Sequence, residues 1–193
     1  MLNRKEEAEL IARARKGEVE AFMNLIKDYQ RPIFSLIYRL TGNREDAADL
    51  TQETFLKAFS GLKDFREKSG FYTWLHRIAV NQTLNFLKKS STRREKLEYL
   101  DEIKQDDPGV AAVPSPEESS IREEFRSRLQ ATLEELPMVY KLPFFLVIFQ
   151  GMSHAEAAKV LGCSEGTVSW KIHEARKMIR EKLKHFVPVK KEV

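Results

Sequence analysis

Residues 152–183 read MSHAEAAKVLGCSEGTVSWKIHEARKMIREKL, and this stretch decides the fold. Ser153, with Glu156 three residues on, is a capping box that starts a short helix with Ala157, Val160 and Leu161 turned inward. Gly162 tolerates positive φ, so Leu161-Gly162-Cys163 supplies a turn. Ser164 caps a second helix, whose apolar Val168, Ile172, Ala175 and Ile179 recur at intervals of four, three and four. The small Ala157 and Ala158 let the two helices cross closely. Glu165, Ser169, Trp170, His173, Glu174 and Lys177 face outward, with Lys171 and Arg176 beside them. This is the pattern of a helix-turn-helix, whose second helix enters a major groove with its N-terminal residues at base edges and its basic flanks on phosphates. A plain helical hairpin in a bundle shows similar spacing. The basic run Arg176, Lys177, Arg180, Lys182, Lys184, Lys190 and Lys191 favours nucleic acid.

Upstream of this stretch, residues 138–149 form an apolar segment expected to be a buried helix bent at Pro143. Before it, Ile121, Phe125, Leu129, Leu133 and Leu136 recur at four and three, predicting a helix that stops at Leu136-Pro137. Residues 94–120 begin helically and then pass into QDDPGVAAVPSPEESS, which reads as a flexible acidic linker.

The first half is helical too. Residues 5–15 carry Ala8, Leu10, Ile11 and Ala14 among charges and stop at Gly17. A second helix begins near Glu18 and is expected to run on through Pro32, kinked, to Thr41-Gly42. Asn43 is a good N-cap for a third, with Ala47, Leu50, Phe55 and Phe59 inward and Gly61 at its end. The polar loop Lys63–Gly70 precedes a fourth, roughly Phe71–Lys89. The expected fold is therefore all-α, with helical domains over 1–93 and 121–193 joined by the 94–120 linker.

Charge and composition narrow the function. Residues 1–93 hold 17 basic and 12 acidic groups, 94–121 hold 3 and 8, and 122–193 hold 13 and 9. Two basic blocks flanking an acidic segment fit two domains that meet a polyanion. The one cysteine, Cys163, excludes an internal disulfide and a cysteine-based zinc site. The charged start lacks the apolar core of a signal peptide, and the longest apolar stretch, 142–149, is too short to span a bilayer. His76, His154, His173 and His185 are scattered, so no catalytic cluster, metal site or cofactor is expected, and an enzyme is disfavoured. Asp46, Asp49 and Glu53 do share a helix face, but a Mg²⁺ site there is a remote alternative.

Residues 65–94, FREKSGFYTWLHRIAVNQTLNFLKKSSTRR, interleave Phe65, Phe71, Tyr72, Trp74 and Phe86 with Arg66, Lys68, Arg77, Lys88, Lys89, Arg93 and Arg94. Such a mixture suits a single strand, whose bases stack on aromatic rings while cations hold phosphates. At least half of these aromatics are equally expected to pack the core. Asn81 can offer its amide to a base edge or make a local helical bond.

Together, NREDAADLTQETFLKAFSGLKDFR (43–66), FYTWLHRIAVN (71–81), the linker and LGCSEGTVSWKIHEARKMIREKL (161–183) resemble a bacterial RNA polymerase sigma factor of the extracytoplasmic-function, group 4 type. The resemblance implies that Asp46, Asp49, Leu50, Gln52, Glu53, Phe55 and Leu56 dock on core polymerase, with Leu50 and other exposed apolar groups filling the interface centre. It implies that Gly61, Phe65, Arg66, Tyr72, Trp74, Arg77, Ile78 and Asn81 serve the −10 element, Phe65, Arg66 and Ile78 walling a pocket for a flipped base. It also implies that Ser164, Thr167, Ser169, Trp170, Lys171, His173, Glu174, Arg176 and Lys177 read the −35 element. Core RNA polymerase, promoter DNA and an anti-sigma factor are the implied partners. The implied location is cytoplasmic, at the inner membrane face when an anti-sigma partner holds the chain there, with no membrane insertion. The linker corresponds to a connector threading near the polymerase active centre, where its charge would imitate nucleic acid.

The chain departs from the family pattern in two places. Family members often carry arginine where Ser169, Trp170 and Glu174 stand here, and Pro143 is unexpected. The competing reading is a stand-alone helix-turn-helix regulator with residues 1–93 as a sensing or dimerisation domain.

Overall fold

The computed structural model describes residues 3–65, 70–95 and 116–186, and every regular element among them is helical. Asn3 caps α1 (Arg4–Arg15) in a reciprocal box with Glu6. The chain reverses at Gly17, φ 93°, into α2 (Val19–Ile26). It then turns through residues 27–29 and restarts as α3 (Gln30–Thr41). The single kinked helix expected from Glu18 to Thr41 is thus two helices. Tyr29 sits at the break, buried, with its hydroxyl 2.5 Å from Glu7 of α1. Pro32 falls in the first turn of α3, where its missing N–H has no helical partner to lose.

Gly42 ends α3 in the left-handed region, and Asn43 caps α4 (Arg44–Gly61) by accepting from the backbone N–H groups of Glu45 and Asp46. A 3₁₀ turn, Leu62–Asp64, leads toward α5 (Phe71–Glu95), which outruns the expected end at Lys89. The core of this half is built from Ile11, Phe22, Leu25, Ile33, Ile37, Leu62 and Leu75 among others, all buried. Burying each such side chain stabilises by roughly 1.5–3 kcal/mol.

The second half opens with α6 (Pro116–Glu134), which starts five residues before the expected boundary, with proline at the first helical position. The rest of the expected linker, 96–115, lies outside the described residues. Pro137 caps α7 (Met138–Phe144), and the winding changes to a π-helical segment over Phe145–Phe149. Pro143, where a bend was expected, lies inside α7, two residues before this change of winding. Lys141 is buried, and its ammonium donates to the Glu134 carbonyl at 2.6 Å, satisfying the end of α6; burial pushes its pKa down. The helix-turn-helix follows as α8 (His154–Leu161) and α9 (Glu165–Lys182), with the Ser153–Glu156 box, Gly162 at φ 66° and the Ser164 cap all as read from the sequence.

Leu36, Leu40 and Val80 of the first half belong to the same buried cluster as Leu142, Phe145, Leu146, Val160, Val168 and Ile172 of the second. Tyr72 donates its hydroxyl to the Gln150 carbonyl at 2.7 Å, and the Arg39 guanidinium lies 4.2 Å from the centre of the Phe149 ring. The two domains are packed face to face through α5 and α8.

Candidate protein and nucleic-acid interfaces

On α4, Asp49, Gln52, Glu53 and Leu56 recur at three, four and seven, so they share one face, and all four are exposed. Asp46 is half-buried in the first turn. Leu50 is 5% exposed and packs the core, whereas Leu56 is 63% exposed. The expectation that Leu50 fills an interface centre is corrected on this point: the helix turns Leu50 inward with Ala47 and Ala58, and Leu56 is the apolar group the acidic face presents. Phe55 lines an open groove between α3 and α4 with Arg31, Phe34, Thr51 and Gln52. Gln82 of α5, which no sequence signal singles out, joins the helices: its amide donates to Glu53 at 3.3 Å and accepts from Lys57 at 2.5 Å.

Helix α5 divides the expected −10 residues among three faces. Phe71, Leu75 and Ala79 point into the first core. Tyr72, His76, Val80 and Leu84 point at the second domain. Arg77 and Asn81, with Asn85 and Lys88, make the outer face, all exposed. Trp74 and Ile78 are half-buried at its border, so Trp74, Arg77, Ile78 and Asn81 form one surface and Tyr72 stands apart from it. The Tyr72 pKa is raised to about 12, chiefly by burial, which keeps its hydroxyl a donor to Gln150.

Phe65 is 4% exposed and packs against Phe71 and Trp74 at 6.0 and 5.0 Å between ring centres. It therefore supports the loop from inside, where a pocket wall was expected, and Arg66 lies outside the described residues. Arg15, on α1 and missed by the sequence reading, fixes this turn by donating to the Phe65 carbonyl, with its guanidinium 5.7 Å from the Phe65 ring centre. Gly61 keeps helical φ, −85°, beneath Trp74; a Cβ there would sit 3.6 Å from the indole, an ordinary contact.

On α9, Val168, Ile172 and Ala175 are buried, which turns Gly166, Trp170, His173 and Lys177 to the opposite side, all exposed. Glu174 and Lys171 are half-buried at its edges, and Arg176 is exposed on the flank. Ser164 and Thr167 are partly committed to the cap, their hydroxyls 2.8 Å apart and the Thr167 N–H donating to Ser164. The Ser169 hydroxyl lies 2.8 Å from His154 Nδ1 of α8, and Tyr140 of α7 meets Trp170 edge to face at 5.9 Å between ring centres. Neither His154 nor Tyr140 was expected at this surface, because their approach to α9 depends on how α8 and α7 cross it. No group of three or more potential metal ligands exists among the described residues.

The family model for Sigma-70 region 2 matches residues 25–93, and that for Sigma-70, region 4 matches residues 126–179. The RNA polymerase sigma-H factor of Pseudomonas aeruginosa is 33% identical over 190 residues, covering 95% of this chain and 96% of that protein. The ECF RNA polymerase sigma-E factor of Escherichia coli strain K12 is 34% identical over 182 residues, covering 92% and 94%. The solved structure of CnrH, in complex with the cytosolic domain of CnrY, shares the fold with a TM-score of 0.69 at 24% identity, covering 94% of this chain and 99% of that one. A region 2 match over 25–93 occupies the stretch that a stand-alone regulator needed for sensing or dimerisation, and that reading is set aside. With both regions present in order and two sigma factors aligned along nearly its whole length, the chain belongs to the sigma-70 family of RNA polymerase sigma factors, in its extracytoplasmic-function branch, and is a transcription-initiation factor.

Proposed function

We propose that the α4 face of Asp49, Gln52, Glu53 and Leu56 is the core polymerase dock, that α9 reads the −35 duplex, and that the outer face of α5 meets the −10 element. The observation that carries this reading is the separation of chemistry on one small chain: an acidic, leucine-bearing face on α4 and basic faces with exposed aromatic edges on α5 and α9. Carboxylates around Leu56 suit a basic partner helix with an apolar centre, since charge steers the encounter and apolar area holds it. Arg77, Asn81 and Trp74 combine a cation, an amide and a ring, which suits a strand leaving the duplex. Melting then draws on binding free energy. In this reading the polymerase performs the chemistry and the chain acts by binding.

An anti-sigma factor is proposed as the partner of the free form. One neighbour of like fold, the sigma factor RpoE of Bartonella quintana, was solved with the anti-sigma factor NepR, at TM-score 0.69 and 21% identity, and CnrH was solved with a protein partner, the cytosolic domain of CnrY. Exposed Val19, Met23, Leu56 and Phe149 provide apolar area for a protein partner. The working location is the cytoplasm, where the polymerase is; among the described residues no helix is long and apolar enough to cross a membrane.

Run-off transcription with bacterial core polymerase and a promoter library tests the reading. Promoter-specific transcripts should appear only when this chain is added, and Asp49→Arg should abolish them by reversing an exposed charge while leaving the fold intact. Transcripts undiminished by Asp49→Arg and Glu53→Arg together would remove α4 as the dock.

A further inference from the structure

Trp170 occupies the centre of the α9 face turned away from the core and remains 54% exposed. A large ring left in water on a small domain calls for a partner. Its neighbours narrow what that partner is. Gly166, one turn before it, has no side chain and is exposed, so a surface can approach the helix closely there. Lys177 lies on the same face two turns on, and Arg176 flanks it, which matches a phosphate backbone on the far side of Trp170. Ser169 beside it is tied to His154, and Glu174, one turn further, is half-buried at the edge. The indole offers one N–H donor and otherwise an apolar plate. In the major groove the apolar feature that distinguishes one base pair from the other three is the C5-methyl group of thymine.

We infer that Trp170 reads a thymine methyl in the −35 duplex and that Tyr140 of α7 is the positioning residue that holds the indole for it. This rests on the proposed reading of α9 as the −35 helix. Tyr140 meets the indole edge to face at 5.9 Å and 62°, a geometry that limits the rotamers Trp170 samples and leaves its other side free for the groove. Apolar recognition thereby stands at a position where arginine is expected from the family resemblance. It predicts a thymine-containing −35 element whose recognition depends on a methyl group as well as on hydrogen bonds.

The experiment uses holoenzyme assembled from this chain and core polymerase, on a promoter taken from the run-off selection. Each −35 thymine is replaced in turn by uracil, which pairs identically and lacks only the methyl. One position should bind about fourfold more weakly, the equivalent of about 0.8 kcal/mol for one buried carbon. In Trp170→Ala holoenzyme the same replacement should have no effect, and adding the methyl back should restore nothing. Tyr140→Phe should keep the methyl discrimination and Tyr140→Ala should lose it with initiation still promoter-specific. Uracil tolerated at every position, or equal methyl sensitivity with and without Trp170, overturns the inference while the sigma reading stands. An absence of promoter-specific initiation by the wild-type chain overturns both.

Discussion

His76 is fully buried on the face of α5 that meets the second domain, with Nδ1 2.8 Å from the Tyr72 carbonyl and Nε2 3.4 Å from the Gln150 side-chain oxygen. Burial pushes its pKa below the ordinary 6.5, outweighing the two hydrogen bonds that favour the charged ring. As pH falls through 6.5, the unfolded chain takes up a proton that the native chain refuses, so the stability present above 6.5 is progressively lost toward the lower folded value. The urea midpoint should therefore drop as pH falls below 6.5, stability being lost at no more than about 1.4 kcal/mol per pH unit for this one group. His76→Gln, which cannot titrate, should flatten that part of the profile. An unchanged slope in the variant would place the sensitivity elsewhere. The sequence showed His76 only as a histidine without a ligand cluster, since its burial depends on a domain 74 residues away.

The helices that carry local signals came out as the sequence predicts. Asn43, Ser153 with Glu156, Gly162 and Ser164 each act within four residues of themselves, so their roles are set before any tertiary packing forms. Ser164 gives the sharpest test: Ser164→Ala leaves the Thr167 N–H without its acceptor and should cost about 1 kcal/mol in urea unfolding. If α9 reads the −35 duplex as proposed, it should also weaken −35 binding more than it weakens the fold, because the first turn of such a helix is the part that meets the groove. Elements shaped by distant partners were misread. The α2–α3 break lies where Tyr29 reaches back to Glu7, and nothing in the run from Val19 to Leu40 marks it beyond Pro32, a residue a continuous helix also tolerates with a kink. The periodicity of α4 carried Leu50 inward correctly, while the docking motif of the resembling family pulled it outward; burial sides with the periodicity. Phe65 shows the same conflict, being read from a loop motif and found in the core.

The packing of the two domains was beyond sequence reading altogether, because Leu36, Leu40 and Val80 look like ordinary members of their own helices. Their burial against α8 and the π segment explains why α5 is apolar on two faces and polar on only one. It also withholds Tyr72 from any strand, since its hydroxyl is engaged by Gln150. A domain interface of this kind holds only while its apolar centre stays dry, and Val80, 2% exposed, lies in that centre. Val80→Asp introduces a carboxylate into that apolar centre while the Arg39 guanidinium of the interface is engaged over the Phe149 ring, and the least costly response is for water to enter and the domains to part. Small-angle scattering should then report a larger radius of gyration with the far-ultraviolet helical signal unchanged, because Leu75, Ala79 and the rest of the first core are on the other side of α5. Tyr72→Phe removes one hydrogen bond of about 1 kcal/mol and should shift the radius little, which separates the apolar centre from its polar edge as the source of the contact. Loss of helical signal in Val80→Asp would instead assign Val80 to the first core, leaving Leu36 and Leu40, the Tyr72 and His76 contacts with Gln150 and the Arg39–Phe149 pair to join α3 and α5 to the second domain.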